Sequence, residues 1–212
     1  MPGREPPQGR GRDRNNLRIG DLTPYSSSSF GGVIWNTEAE FLTAIQPGYY
    51  LEDFVGWTYG APLDGGQTDY DFGPVNDWLW HAYASRGLWS NDSALSTNTA
   101  YDHLVITFPG GDVTAVAGIF AATDIYGETI PYDVIITLDD GTVHTITGEG
   151  FVGFTTDIPI VSITVAADNS EVQNWPEVGH FYVGSSQPIP EPATVALLGI
   201  AGLGLLARRR RK

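Results

Sequence analysis

Asp69 and Asp71 stand two residues apart ahead of Gly73, and Asp64 and Asp77 flank them. Alternating carboxylates before a glycine turn have the spacing that opens a calcium loop, because calcium is a hard cation that takes oxygen ligands. The third ligand position and the distal bidentate glutamate are missing, so a plain acidic loop is the competing reading. Glu52 and Asp53 form a second acidic pair. Calcium is the one cofactor these residues suggest.

Aromatic rings crowd the same stretch. Trp57, Trp78, Trp80 and Trp89 fall within residues 49–89, with Tyr49, Tyr50, Tyr59 and Tyr83. Flat rings beside carboxylates suit the stacking and hydrogen bonding of a sugar. Trp78, Trp80, Ala82 and Ala84 alternate with Leu79, His81, Tyr83 and Ser85, as one strand would. Trp78 and Trp80 are therefore read as core, and Trp57 and Trp89 as the stacking candidates. Arg86 is expected to pair with a nearby carboxylate.

The remaining chemistry is thin. His81, His103, His144 and His180 form neither His-x-His nor His-Glu-x-x-His, so each is read as a strand residue with a satisfied ring. There is no Gly-x-Ser-x-Gly elbow and no P-loop. Zero cysteines exclude a disulfide scaffold, a thiolate zinc site and a cysteine nucleophile. Paired carboxylates can cleave glycosides, but in so acidic a chain some pair meets by chance, and a cleft is needed to give it weight. The body is read as non-enzymatic.

The net charge of −14 over 212 residues hides three segments. Residues 1–18 hold five arginines against two acids. Residues 19–207 hold 23 acids against Arg86 alone. Residues 208–212 are all basic. A body with one base cannot neutralise its carboxylates internally. It repels itself unless salt or bound cations intervene, and it excludes nucleic acid as a partner.

Several elements must position these residues. Residues 1–30, rich in Gly, Pro, Arg and Ser, read as disordered. They lack the apolar run of a secretory leader, so the true translation start is expected elsewhere. Thr37 followed by Glu40 is a capping box, predicting a short helix to about Ile45, ended by Pro47 and Gly48. Strands are predicted at Leu104 to Phe108, Val113 to Phe120, Val134 to Leu138, Val143 to Thr147, Ile160 to Val165 and His180 to Val183. Asp140-Gly141 between alternating runs predicts a hairpin with a type I′ turn. This pattern gives a mainly β fold: an antiparallel β-sandwich, jelly-roll-like, over residues 31–184, with one short N-terminal helix. Residues 185–189 read as a linker.

The C-terminus is the most specific segment. Pro190-Glu191-Pro192 precedes fifteen uncharged residues, 193–207, and then Arg208, Arg209, Arg210, Arg211 and Lys212. As a helix the apolar block spans about 22 Å, short of a ~30 Å hydrocarbon core. Its apolar residues wrap all round rather than forming a stripe. The basic cluster stops translocation and stays cytoplasmic, leaving the acidic body outside. A separate membrane helix is therefore predicted at 193–207.

The order Pro-Glu-Pro, short apolar helix and terminal arginine cluster resembles the PEP-CTERM sorting signal of exported bacterial proteins, over residues 189–212. The resemblance implies an exosortase, a membrane protease-transpeptidase, as partner. It implies Pro190, Glu191 and Pro192 as the recognition element, residues 193–207 as a transient anchor, and residues 208–212 as the cytoplasmic stop. After removal of the tail the body would remain at the cell surface or in the extracellular matrix. The body also resembles ectodomains that accompany this signal, through Glu52-Asp53-Phe54, Leu88-Trp89-Ser90-Asn91, Leu104-Val105-Ile106-Thr107-Phe108 and Leu138-Asp139-Asp140-Gly141-Thr142.

Three functional readings follow. The first is a structural or interaction role at the surface or in an exopolysaccharide matrix. The second is a calcium-assisted glycan-binding module, which needs exposed rings and clustered carboxylates. The third is a secreted glycoside hydrolase, which needs two facing carboxylates of unequal pKa.

Overall fold

The computed structural model describes residues 31–56, 67–91 and 93–186. The segments 1–30, 190–192, 193–207 and 208–212, together with Trp57 and Asp64, lie outside the described residues. Thirteen strands and one helix are present among them: β1 (Val33–Trp35), α1 (Glu38–Ala44), β2 (Tyr50–Glu52), β3 (Asp69–Val75), β4 (Trp78–Tyr83), β5 (Leu88–Ser90), β6 (Leu95–Thr97), β7 (Leu104–Thr107), β8 (Ala115–Thr123), β9 (Asp133–Leu138), β10 (Val143–Thr147), β11 (Gly150–Thr155), β12 (Ser162–Ala167) and β13 (Trp175–Gly184).

The strands form two antiparallel sheets. One runs β1-β11-β8-β13-β6-β5, with β2 also on β13; the other runs β10-β9-β12-β7-β4-β3. From β6 onward the chain alternates between sheets, with β9 and β10 forming a hairpin within the second. The resulting orders, β11-β8-β13-β6 and β10-β9-β12-β7, are those of an eight-stranded jelly roll.

Alternation along each strand explains the packing. Leu104 and Ile106, Val134, Ile136 and Leu138, and Ile163 and Val165 point inward from the second sheet. Leu88, Leu95, Phe120, Val152, Phe154 and Val178 meet them from the first. Trp80 anchors the centre, fully buried, stacked on Phe72 at 3.8 Å and edge-on to Phe181 at 5.0 Å. Each such side chain contributes about 1.5–3 kcal/mol of hydrophobic stabilisation. Trp78 is only partly buried; its indole N–H donates to the Gly48 carbonyl at 2.7 Å.

The short helix forms where its caps predict. Thr37 accepts from the Glu40 N–H at 3.4 Å, and its hydroxyl donates to the Glu40 carboxylate at 2.8 Å. The helix buries Phe41 against Ala115, Ala117 and Tyr182 on the outer face of the first sheet. Its chain leaves at Ile45, before Pro47.

Three local expectations differ. The β9–β10 hairpin forms, but Gly141 alone takes a positive φ, 88°. Gly141 N–H donates to the Leu138 carbonyl at 3.0 Å, and the turn is a tight one followed by a left-handed glycine rather than type I′. Asp139 stays out of the left-handed region and instead accepts the Val161 and Ser162 N–H groups at 2.9 and 3.2 Å. The strand expected at Val113 to Phe120 lies at Ala115–Thr123, because β13 pairs with it out to Thr123. The strand expected at His180 to Val183 begins at Trp175. A register shift between Gly179 and Tyr182, with His180 at φ 44°, breaks its alternation, so Val178 and Phe181 both face the core.

Candidate functional site

Asp69 and Asp71 lie on a strand, not in a loop. Tyr70 and Phe72, which alternate with them, pack inward, so burial of those rings imposes the extended backbone and turns both carboxylates to solvent. Register sets Asp71 opposite His81, with Asp71 Oδ1 2.8 Å from His81 Nδ1. Asp69 accepts the Thr68 hydroxyl at 3.1 Å. Asp77 sits in the turn to β4, at φ 69°. Among the described residues no three His, Asp or Glu side chains come together to hold a metal.

Many other carboxylates serve the fold. Glu52 accepts the Tyr50 hydroxyl at 2.7 Å and the Phe54 N–H at 3.0 Å, which accounts for one half of the second acidic pair. Burial first, then this bond to a carboxylate, raises the Tyr50 pKa well above its ordinary value. Asp102 accepts from the Ser85 hydroxyl and from the Arg86 and His103 N–H groups at 2.9, 2.7 and 2.9 Å. Arg86 thus meets Asp102 through its backbone. Its side chain stands exposed, where an ion pair gains little. Tyr182 donates to Glu38, tying α1 to the sheet.

Cross-strand register assembles a different group on the outer face of the first sheet, beyond the end covered by α1. Trp89 of β5 pairs with Ser96 of β6, Ser96 with Glu177 of β13, and Glu177 with Ala121 of β8. Their neighbours in sequence, Leu88, Leu95, Val178 and Phe120, face the core, so these four share the opposite face. Ser96 is buried and donates to the Pro176 carbonyl at 2.9 Å. The connection between β8 and β9 approaches this row: a Cβ at Gly127 would lie 3.9 Å from the tip of Trp89. That connection is built on Asp124, whose carboxylate accepts the Tyr126 and Glu128 N–H groups at 2.8 and 3.0 Å. It leaves Tyr126 85 % exposed.

Glu177 is the unusual member. Its Oε2 is buried with no hydrogen-bond partner. Burial, followed by the negative charge of Glu149, pushes its pKa up to about 7. Glu149 is exposed and accepts the Thr129 hydroxyl at 3.1 Å. Near neutrality Glu177 therefore carries a proton for part of the time and can both donate and accept. Sequence reasoning missed Glu177. The available signal was one carboxylate placed between Pro176 and Val178 in an apolar strand, but the broken alternation of β13 hid the strand itself. Of the two stacking candidates, Trp89 is in this row and Trp57 lies outside the described residues.

No helix among the described residues is long and apolar enough to cross a membrane. Among curated proteins and among solved structures, nothing matches the chain. Residues 188–212, however, match the family model of the PEP-CTERM protein-sorting motif, which contains Pro190, Glu191, Pro192 and the terminal basic cluster. The chain therefore carries a PEP-CTERM sorting motif behind a jelly-roll sandwich, and that motif supports export and processing by an exosortase.

Proposed function

We propose that this protein is carried to the inner membrane, held there by residues 193–207 with its basic end in the cytoplasm, cut near Pro190–Pro192, and left at the cell surface or in the extracellular matrix. The sandwich then has a structural or interaction role and no catalytic one. The motif at residues 188–212 carries this reading. The acidic body supports it, because 23 carboxylates against one base keep copies soluble outside the cell.

The test is fractionation of cells expressing the chain with an epitope tag in the body, followed by intact mass. A species ending near Pro190–Pro192, outside the inner membrane, is expected. Full-length protein in the cytoplasm would overturn the proposal.

A glycan-binding role is the second reading, and the placement of Trp89 and Glu177 on one face favours it. A carboxyl that both donates and accepts suits a ligand rich in hydroxyls, and an indole ring suits the face of a sugar. Affinity electrophoresis through soluble acidic and neutral glycans, wild type against Trp89→Ala, tests it. Equal mobility of the two in every glycan would end this reading and leave the sorting proposal untouched.

A further inference from the structure

The edge strands differ in how they discourage pairing. β3 carries Asp69, Asp71 and Pro74 and breaks register between Phe72 and Val75. β1, β2 and β5 have three residues each. These are common protections of an edge: charge, proline, irregularity and shortness. β10 has none of them. It reads Val143-His144-Thr145-Ile146-Thr147, with no charge, proline or glycine, and keeps unbroken register with β9 from Val143↔Thr137 to Thr147↔Asp133. Four of its five residues are β-branched. Among the described residues β9 is its one strand partner. Part of its backbone N–H and C=O groups therefore point away from the sheet. Ile146 packs inward and His144 sits edge-on to Phe154 at 6.3 Å, which hold the strand flat, while Val143 is 58 % exposed.

We propose that β10 is an association edge occupied by a second copy of this chain, paired antiparallel about a two-fold axis at Thr145. The sequence is self-complementary about that residue. Val143 meets Thr147 of the second copy, His144 meets Ile146, and Thr145 meets its own counterpart, so β-branched residues dominate and no carboxylate faces another within the paired strands. Charge argues for the same occupant. In a body with 23 acids and one base, two copies can approach without opposing carboxylates only where a strand is uncharged. A two-fold pairing uses up both edges and closes. It would join the two six-stranded sheets into one continuous sheet. The inference goes beyond sorting and concerns the body alone.

The chain contains no cysteine, which allows a direct test. Residues facing each other across an antiparallel pair lie about 4.5–5.5 Å apart at Cα, within disulfide reach. Full-length chain in detergent carrying Thr145→Cys is expected to form a disulfide-linked dimer under mild oxidation, while Asp71→Cys at the opposite edge stays monomeric. Light scattering is expected to give a dimer mass for wild type and a monomer mass for Thr145→Lys. Thr145 is exposed, and circular dichroism checks that the Lys variant folds. Lysine lowers the negative charge of the body, so nonspecific association would strengthen, whereas pairing about Thr145 sets two like charges face to face. A wild-type monomer would overturn the proposal. So would equal cross-linking at both positions, or a Lys variant that remains dimeric.

Discussion

Gly153 of β11 lies directly under the ring of Phe41 from α1: a Cβ built on it would come within 2.6 Å of Phe41 Cδ2 and 3.2 Å of the Ala117 Cβ. The helix docks closely because β11 offers bare backbone there. Phe41 is also the buried residue on which the second hydrophobic cluster is built. Gly153→Ala is expected to cost about 1–3 kcal/mol by forcing the helix outward. Phe41→Ala is expected to cost about 3–5 kcal/mol by emptying the cluster. Urea denaturation of both variants checks the order; equal stability of Gly153→Ala and wild type would show that α1 can shift freely.

Glu177 makes stability depend on pH in an unusual direction for a carboxylate. Its folded pKa, about 7, lies above the unfolded value near 4.5. The folded state therefore holds the proton more tightly, and stability falls as pH rises between those values. The loss is at most roughly 3–4 kcal/mol, from about 1.4 kcal/mol per pKa unit. Glu177→Gln keeps the shape and removes the titration. The difference in unfolding free energy between variant and wild type is expected to grow in favour of the variant from pH 4 to pH 8. A constant difference would refute the assignment.

Asp102 ties two crossings between the sheets. It precedes β7, and it accepts from Ser85 and Arg86 in the turn from β4 to β5. Asp102→Ala leaves these donors without their acceptor and is expected to cost about 2–3 kcal/mol. Asp102→Asn keeps one oxygen and is expected to cost less. Thermal unfolding of the pair distinguishes loss of hydrogen bonds from loss of charge.

The Asp71–His81 pair is expected to contribute little, because Asp71 is 74 % exposed. Asp71→Asn should change the unfolding free energy by less than about 1 kcal/mol. A larger effect in a denaturant melt would mean that the pair is part of a wider network.

Replacing Pro190, Glu191 and Pro192 together by alanine is expected to leave full-length protein in the membrane fraction. Intact mass gives the answer directly. Release of the usual shortened species from this variant would place recognition elsewhere in residues 188–212.

Periodicity and end chemistry are local properties, and they determined much from the sequence alone. Thr37 and Glu40 marked the helix, Leu104 with Ile106 and Val134 with Ile136 marked inward faces, and the segment from Pro190 to Lys212 carried its sorting signal in linear order. Register is not local. Asp69 and Asp71 read as loop residues until burial of Tyr70 and Phe72 made their segment a strand. Trp89, Ser96 and Glu177 became one group because β5, β6 and β13 are neighbours, a consequence of chain crossings that no short window contains. The partly buried carboxyl of Glu177 likewise exists only after folding, since its displaced pKa comes from the water that the packed sheet removes.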